Sequence, residues 1–378
     1  MPNIFRKSGG ENRIFRDESV LLPDFLPNEL PGREHEIKEL VYCVQPSSEN
    51  RQPEHALIVG PPGTGKTSTA RFVLKELSAY SQRPLPIYIN CWVHSSRFAI
   101  FSVLADALGE IMPRRGIAAD EIFGRIVEIA KKEGRLPILV LDEVDRLESG
   151  SDGVQVLYDL CRAGEMHSLK TGVVAITNDE EFHTRLDNRV RSSFIQHTLK
   201  FPAYGVPQLR EILKQRAEIA FMPGALDEEV APLCAAVSFK KGGDYMLRHG
   251  SPPAAAGGDA RVALALLLSA GKAAERENAS KVEVKHVRQI EEQALASSSV
   301  KAVRKLPEMD EVDARLVALV KAAGKGGMES GILYGKMKRF EGERAIRNRL
   351  ESLEKSGILI AETKQLSQGR TRVIRIKE

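Results

Sequence analysis

Four short, mainly apolar runs and one mixed segment pace the N-terminal half of this chain: Ala56-Leu57-Ile58-Val59, Pro86-Ile87-Tyr88-Ile89-Asn90, Pro137-Ile138-Leu139-Val140-Leu141 and Gly172-Val173-Val174-Ala175-Ile176-Thr177, then His197-Thr198-Leu199-Lys200-Phe201 before Pro202. Each has the length of a strand, and the unbroken run before Asp142 predicts one buried on both faces, as in a parallel sheet. Between the runs, apolar residues recur at helical spacing, as in Ser68–Leu74 and Phe98–Leu108. Ahead of them, Val20, Leu21, Leu22, Phe25 and Leu26 are interrupted by Pro23, Pro27 and Pro31, which predicts an irregular arm. An amphipathic helix then begins at Arg33. Beyond Pro202 the pattern turns helical from Val206 to Ser297, apart from a Gly- and Pro-rich segment, Lys240 to Gly257, that is expected to be mobile. Ser297 to Pro307 reads as a linker. Three helical segments follow, Glu311–Ala322, Glu329–Phe340 and Glu343–Ser356, and then strands at Ile358–Ala361 and Arg372–Ile376.

Composition narrows the class. At 378 residues the chain is long enough for about two to three domains, and its longest uncharged apolar run, Val262–Leu268, is too short to span a bilayer. The opening Met1–Lys7 lacks the apolar centre of a secretion signal, so a cytosolic location without a membrane partner is expected. Cys43, Cys91, Cys161 and Cys234 show neither CxxC nor Cys/His spacing, which points to buried thiols rather than disulfides or zinc. Charge is uneven. Residues 301–378 carry 18 Lys and Arg against 11 Asp and Glu, whereas residues 1–300 carry 37 against 40. A basic C-terminal module on a near-neutral body points to a polyanionic partner, most simply nucleic acid.

The chemistry sits where the apolar runs end. Gly60-Pro61-Pro62-Gly63-Thr64-Gly65-Lys66-Thr67-Ser68 joins the first strand to a helix with Walker A spacing. Its glycines let backbone N–H groups turn around phosphate, Lys66 reaches the β- and γ-phosphates, and the Thr67 hydroxyl ligates Mg²⁺. Asp142-Glu143 closes the third run as a Walker B pair: Asp142 holds Mg²⁺, directly or through water, and Glu143 polarises the attacking water. Asn178 closes the fourth run with an amide able to bridge water and γ-phosphate. Arg185, Arg189 and Arg191 follow; an arginine here reaches a neighbouring subunit's phosphate as a finger or pairs locally with Asp187. Arg114 and Arg115 lie in a Pro- and Gly-flanked turn that contacts DNA or is simply solvated. In the basic module, Ile346, Leu350 and Leu353 form one apolar stripe, leaving Arg344, Arg347, Asn348, Glu351 and Lys355 on the other face. That is the pattern of a recognition helix in a major groove, with Arg349 beside the stripe as the weakest contact. Gly369, Arg370 and Arg372 belong to a β-hairpin wing suited to a minor groove or phosphate.

Together these motifs, with Gly258-Asp259-Ala260-Arg261, resemble the AAA+ ATPases, and within them the archaeal replication initiators related to the origin recognition complex and its helicase-loading partner, over Ile14 to Glu378. The resemblance implies an α/β fold with a five-stranded parallel sheet, a helical lid and a C-terminal winged helix: a base with its N-terminal arm at 1–205, a lid at 206–298 and the winged helix at 299–378. It implies that Arg33 opens a helix walling the adenine, that Tyr204 flanks the base with Arg216 close by, and that Arg261 is the sensor-2 arginine closing on the γ-phosphate. Arg189 is the preferred finger, acting in trans, and Arg191 the second choice. The Arg114-Arg115 turn falls where the family has its DNA-contacting insertion. ATP or ADP with Mg²⁺, origin duplex DNA, a minichromosome-maintenance-type helicase and further initiator copies are the implied ligands and partners. ATP hydrolysis is implied to be a slow switch in a nucleoid-associated protein. Two alternatives stand beside this reading: a clamp-loader-like motor and an ATP-gated transcription regulator.

Overall fold

The computed structural model describes residues 14–110, 117–149, 151–248, 257–301, 311–323, 327–337, 340, 342–355, 359–366 and 369–376. It divides into two units, Met1–Glu291 and Glu292–Glu378.

In the first unit, α1 (Glu34–Val44) precedes β1 (Ala56–Val59), α2 (Lys66–Tyr80), β2 (Pro84–Asn90), α3 (Arg97–Ala107), α4 (Ala119–Glu133) and β3 (Leu136–Asp142). The chain continues through α5 (Ser151–Cys161), α6 (Ala163–His167), β4 (Gly172–Thr177), α7 (Phe182–Arg185), α8 (Asn188–Phe194) and β5 (His197–Lys200). The strands form one parallel sheet in the order β2-β3-β4-β1-β5. Because all run the same way, the phosphate loop, Asp142-Glu143 and Asn178 emerge at one edge, the side on which open α/β sheets bind ligands. Side chains alternate between two cores, as period 2 requires. Leu57, Leu139, Leu141 and Ala175 pack with Phe101, Ile126 and Phe194 on one face; Ile58, Ile138, Val140 and Ile176 pack with Leu40, Val73 and Leu74 on the other. Both faces are covered, which is why β3 and β4 read as unbroken apolar runs.

The lid comprises α9 (Val206–Ala220), α10 (Val230–Arg248), α11 (Ala260–Arg276) and α12 (Val284–Lys301). Two expectations change here. Lys240 to Arg248 continues α10 as helix, through Gly242 and Gly243; only 249–256 of the Gly- and Pro-rich segment lies outside the described residues. Ser297 to Lys301 likewise belongs to α12 rather than to a linker, since serines in the last turns of a helix already nucleated cost little.

The N-terminal arm is the larger surprise. Ile14, Phe15, Val20 and Leu21 are buried in the lid's own core with Leu213, Leu267 and Val287. Phe15 pairs with Phe221 across a β-bridge, their rings 4.9 Å apart. Gly271 makes room for the ring, because a Cβ there would sit 2.2 Å from Phe15 Cζ.

The second unit holds α13 (Glu311–Ala322), β6 (Met328–Glu329), α14 (Ser330–Met337), α15 (Glu343–Lys355), β7 (Leu359–Leu366) and β8 (Gly369–Ile376). Its antiparallel sheet runs β6-β8-β7 over a core of Leu316, Val320, Leu333, Ile346, Leu350 and Ile374. This is a winged helix. β6 is not legible in the sequence because two residues are too few to carry a period.

Candidate nucleotide site and nucleic-acid face

A cavity of about 290 Å³ lies between the sheet edge and the lid. Of the residues singled out by motif, Pro62, Gly63, Thr64, Gly65, Lys66, Thr67, Ser68, Asp142, Glu143, Asn178, Tyr204, Arg216 and Arg261 line it. Gly63 and Gly65 turn the loop with φ of +71° and +83°, which an L side chain rarely adopts. Lys66 opens α2, and its Nζ donates to Gly60 O at 2.7 Å, Pro61 O at 2.8 Å and Asn178 Oδ1 at 2.7 Å. Gly60 and Pro61 thus act behind the loop, as acceptors. Burial depresses the Lys66 ammonium to about 8; Asp142 opposes the shift and Arg261 reinforces it.

Asp142 ends β3 with both oxygens engaged. Oδ2 accepts from Thr67 Oγ1 and from Tyr88 Oη, each at 2.7 Å, and Oδ1 accepts from the Glu143 N–H at 3.0 Å. Glu143 has φ of +56°, a conformation costing a non-glycine residue about 1–3 kcal/mol and met mostly where function over-determines it. Its Oε2 is buried and finds no hydrogen-bond partner among the described residues. Burial, then Asp142 and Asp145, push the Glu143 carboxyl above its usual range. Thr67, Asp142 and Glu143 line one cavity with a hydroxyl and two carboxylates, a hard-oxygen donor set that would fit Mg²⁺.

The lid closes the cavity through α11. Asp259 caps that helix by accepting from the Arg261 N–H at 2.8 Å, and it pairs with the Arg261 guanidinium at 3.0 Å. The Ala260 N–H donates to Gly63 O at 3.2 Å, tying the lid to the phosphate loop. Tyr204, at the base–lid junction, is buried, and its carbonyl accepts from the Gly258 N–H at 2.8 Å.

Arg33 takes a different place from the one expected. Its 1% exposed side chain sits behind the loop, donating to Thr64 O at 2.8 Å and Pro202 O at 2.6 Å, pairing with Glu36 at 3.0 Å and stacking 4.0 Å from the Tyr204 ring centroid. Every donor is turned toward the protein, so Arg33 braces the loop rather than facing the cavity. Arg216 lines the cavity and donates from Nη1 to Val20 O at 2.9 Å and from Nη2 to Phe25 O at 3.2 Å, with its guanidinium 4.6 Å from the Phe25 ring centroid and its buried Nε without a partner among the described residues. Burial lowers its pKa to about 10. It pins the arm, and the stretch from Leu22 to Leu26 forms one wall of the cavity. Sequence reading missed this wall and Tyr88; the prolines of the arm, which stiffen an extended chain, were the only local signal for the first.

Arg189 lies exposed on α8, away from the cavity, while Asp187 caps that helix by accepting from the Arg189 N–H at 2.7 Å. Arg191 donates to Asn188 Oδ1 at 2.7 Å, and Arg185 pairs with Asp179. Arg114 and Arg115 lie outside the described residues.

In the second unit, Ile346, Leu350 and Leu353 are buried, while Arg344, Arg347 and Asn348 are exposed on α15. Arg349 pairs with Asp313 at 3.1 Å. Arg372 Nη2 donates to both carboxylate oxygens of Glu354, each at 2.9 Å. In the wing, Arg370 registers with Gln365 and Gly369 with Leu366; the side chains of Arg370, Glu351 and Lys355 lie outside those described.

A parallel sheet of this order, a phosphate loop with paired carboxylates at its edge and a helical lid over both define an AAA+ ATPase. Residues 29–176 match the AAA ATPase domain, and residues 210–292 match the Cdc6 AAA+ ATPase-type lid domain. The chain belongs to the ORC1-type DNA replication protein family. It is 34% identical over 394 residues to the ORC1-type DNA replication protein of Pyrococcus furiosus, covering 100% of this chain and 90% of that one. ORC1-type DNA replication protein 1 of Aeropyrum pernix is 37% identical over 315 residues, 82% of this chain and 75% of that one. The structure of the Aeropyrum pernix ORC1 protein in complex with DNA superposes with a TM-score of 0.69 at 33% identity, over 96% of this chain and 94% of that chain. No helix among the described residues is long and apolar enough to cross a membrane.

Proposed function

We propose that this protein is an ATP-switched replication initiator that grips origin duplex DNA through its winged helix and the Arg114-Arg115 turn and helps bring the replicative helicase to that site. The observation that carries the switch is the meeting of lid and phosphate loop at Ala260 and Gly63, beside Lys66, Asp142, Glu143 and Asn178. A ligand filling this cavity touches both layers, so its γ-phosphate biases the angle between them. Lys66 and the loop amides bind the phosphates, Thr67 and Asp142 hold Mg²⁺, Glu143 orients and deprotonates water, and Arg261 turns from Asp259 toward the phosphate. Mg²⁺ neutralises charge on the phosphate oxygens when bound. Arg189, exposed on α8, serves as the finger for a neighbouring copy. The DNA reading is supported by the basic, exposed face of α15 and by the family relationship, in which the Aeropyrum pernix ORC1 protein is described in complex with DNA.

Binding to origin and random duplexes over a salt series tests it. Arg347→Ala should erode discrimination by about 1–3 kcal/mol, whereas Arg114→Ala with Arg115→Ala should weaken both duplexes alike and flatten the salt slope. If neither change alters binding, the basic module serves some other partner and the reading fails.

A pH dependence follows from Lys66. Phosphate binding needs the ammonium, which burial holds at about 8 in the free protein. ATP affinity should be flat below that pH and fall about tenfold per unit above it, because binding must then take up a proton. The free protein moves the other way: its lysine deprotonates before the unfolded chain's does, so stability rises between about 8 and 10.5. Calorimetric titrations in buffers of different ionisation enthalpy would reveal the proton uptake, and a constant affinity to pH 9.5 would exclude it.

A further inference from the structure

We propose that Tyr88 is a positioning residue for the metal-binding carboxylate, holding Asp142 in the orientation that a divalent cation requires. The proposal rests on the assignment of Asp142 above. In the parallel register, Tyr88 stands opposite Val140 and Asn90 opposite Asp142, so Tyr88 and Asp142 share a face of adjacent strands two residues apart. A phenol is long enough to cover that offset along the strand, and its hydroxyl donates to Asp142 Oδ2 at 2.7 Å.

Packing explains the ring but not the hydroxyl. The ring lies against the α2-side core and under Arg71, whose guanidinium is 5.5 Å from the centroid, contacts that phenylalanine would also make. The hydroxyl adds a donor on an oxygen that also receives Thr67 Oγ1, and it meets the Asn90 side chain as well. With Oδ1 held by the Glu143 N–H, three donors from three segments fix the carboxylate plane. Thr67 belongs to the nucleotide loop and is expected to give its oxygen to the cation. Tyr88 lies on β2, outside that loop, and keeps its bond whatever Thr67 does. Outer donors of this kind orient metal ligands, and removing one lowers metal affinity about 10- to 100-fold.

The test uses the full-length chain with ADP and compares wild type, Tyr88→Phe, Asp142→Asn and the double variant. ADP affinity is measured in EDTA, and the affinity of the ADP complex for Mn²⁺ is read by electron paramagnetic resonance. Tyr88→Phe should fold, bind ADP in EDTA within about twofold of wild type and lose about tenfold in Mn²⁺ affinity. On the Asp142→Asn background the same change should add nothing, since the group being positioned is altered. Unchanged Mn²⁺ affinity in Tyr88→Phe would overturn the proposal. So would an equal loss of ADP affinity with and without metal, which marks a packing role. A wild-type ADP complex that binds no Mn²⁺ would overturn the Asp142 assignment and this proposal with it, an outcome distinct from a responsive wild type with an indifferent Tyr88→Phe.

Discussion

Replacing Glu143 by glutamine is expected to leave ATP binding intact and to lower hydrolysis by about 10²- to 10⁴-fold, the range a positioned general base supplies. The side chain is held by a left-handed backbone just past β3 and lines the cavity beside the phosphate loop, and its buried Oε2 has no partner among the described residues. Glutamine keeps the shape and loses the basicity. The variant should also melt higher at neutral pH. Burial and the neighbouring Asp142 and Asp145 raise the Glu143 pKa above 4.5, so its charged form opposes folding above the folded-state pKa. That penalty vanishes once pH falls below the unfolded value, and the melting difference between wild type and variant should close there. Single-turnover phosphate release measures the first effect and paired melting curves the second. A variant that hydrolyses ATP within tenfold of wild type would move the base elsewhere.

Gly63→Ala should abolish tight nucleotide binding, with a loss of at least about 100-fold, near 3 kcal/mol. Two costs combine. The position has φ of +71°, and an added Cβ would fall 1.7 Å from Asp259 Oδ1 and 2.0 Å from its Cγ. Asp259 cannot yield cheaply, since it caps α11 and holds Arg261. Either the loop loses its phosphate-binding curve or the start of α11 swings away, taking Arg261 and the Ala260–Gly63 hydrogen bond with it. Gly134 provides the control: its φ is +63°, but nothing lies within 4 Å of its Cβ position. Gly134→Ala should therefore cost stability through strain alone and leave nucleotide affinity untouched. Equilibrium titration with a fluorescent ATP analogue distinguishes the two, and a Gly63→Ala protein binding within threefold of wild type would show that lid and loop are not coupled at this point.

These two positions differ in how far local sequence reveals them. Glu143 follows an apolar run and an aspartate, a pattern that marks a strand end on sight. Gly63 is legible as a loop glycine, but its contact with Asp259, 196 positions later, is not. The central strands β1, β3 and β4 were readable because each is buried on both faces, a requirement written within a few consecutive residues, whereas the edge strands β2 and β5 keep half-buried or exposed positions and carry a weaker signal. The recognition-type helix was readable for the same reason, with Ile346, Leu350 and Leu353 on one stripe and Arg344, Arg347 and Asn348 off it. Lys240 to Arg248 misled because glycines weaken a helix locally, while the packing of α10 against its lid neighbours is a sum over the whole element.

What the chain determined by itself, then, is the set of elements and the chemistry at their ends: phosphate loop, paired carboxylates, strand-end asparagine and basic terminal helix, all encoded by spacings shorter than ten or so residues. What only the tertiary structure decided is the company those groups keep. The arm became part of the lid core because Phe15, Val20 and Leu21 needed apolar partners that only the lid offered. Arg33 became a brace because three backbone carbonyls and Glu36 surround it, and Arg216 became the pin of the arm because Val20 O and Phe25 O reach it. Tyr88 met Asp142 because parallel register placed both on one face. Such pairings follow from burying polar groups only where a partner waits, and the partner is chosen by the fold rather than by distance along the chain.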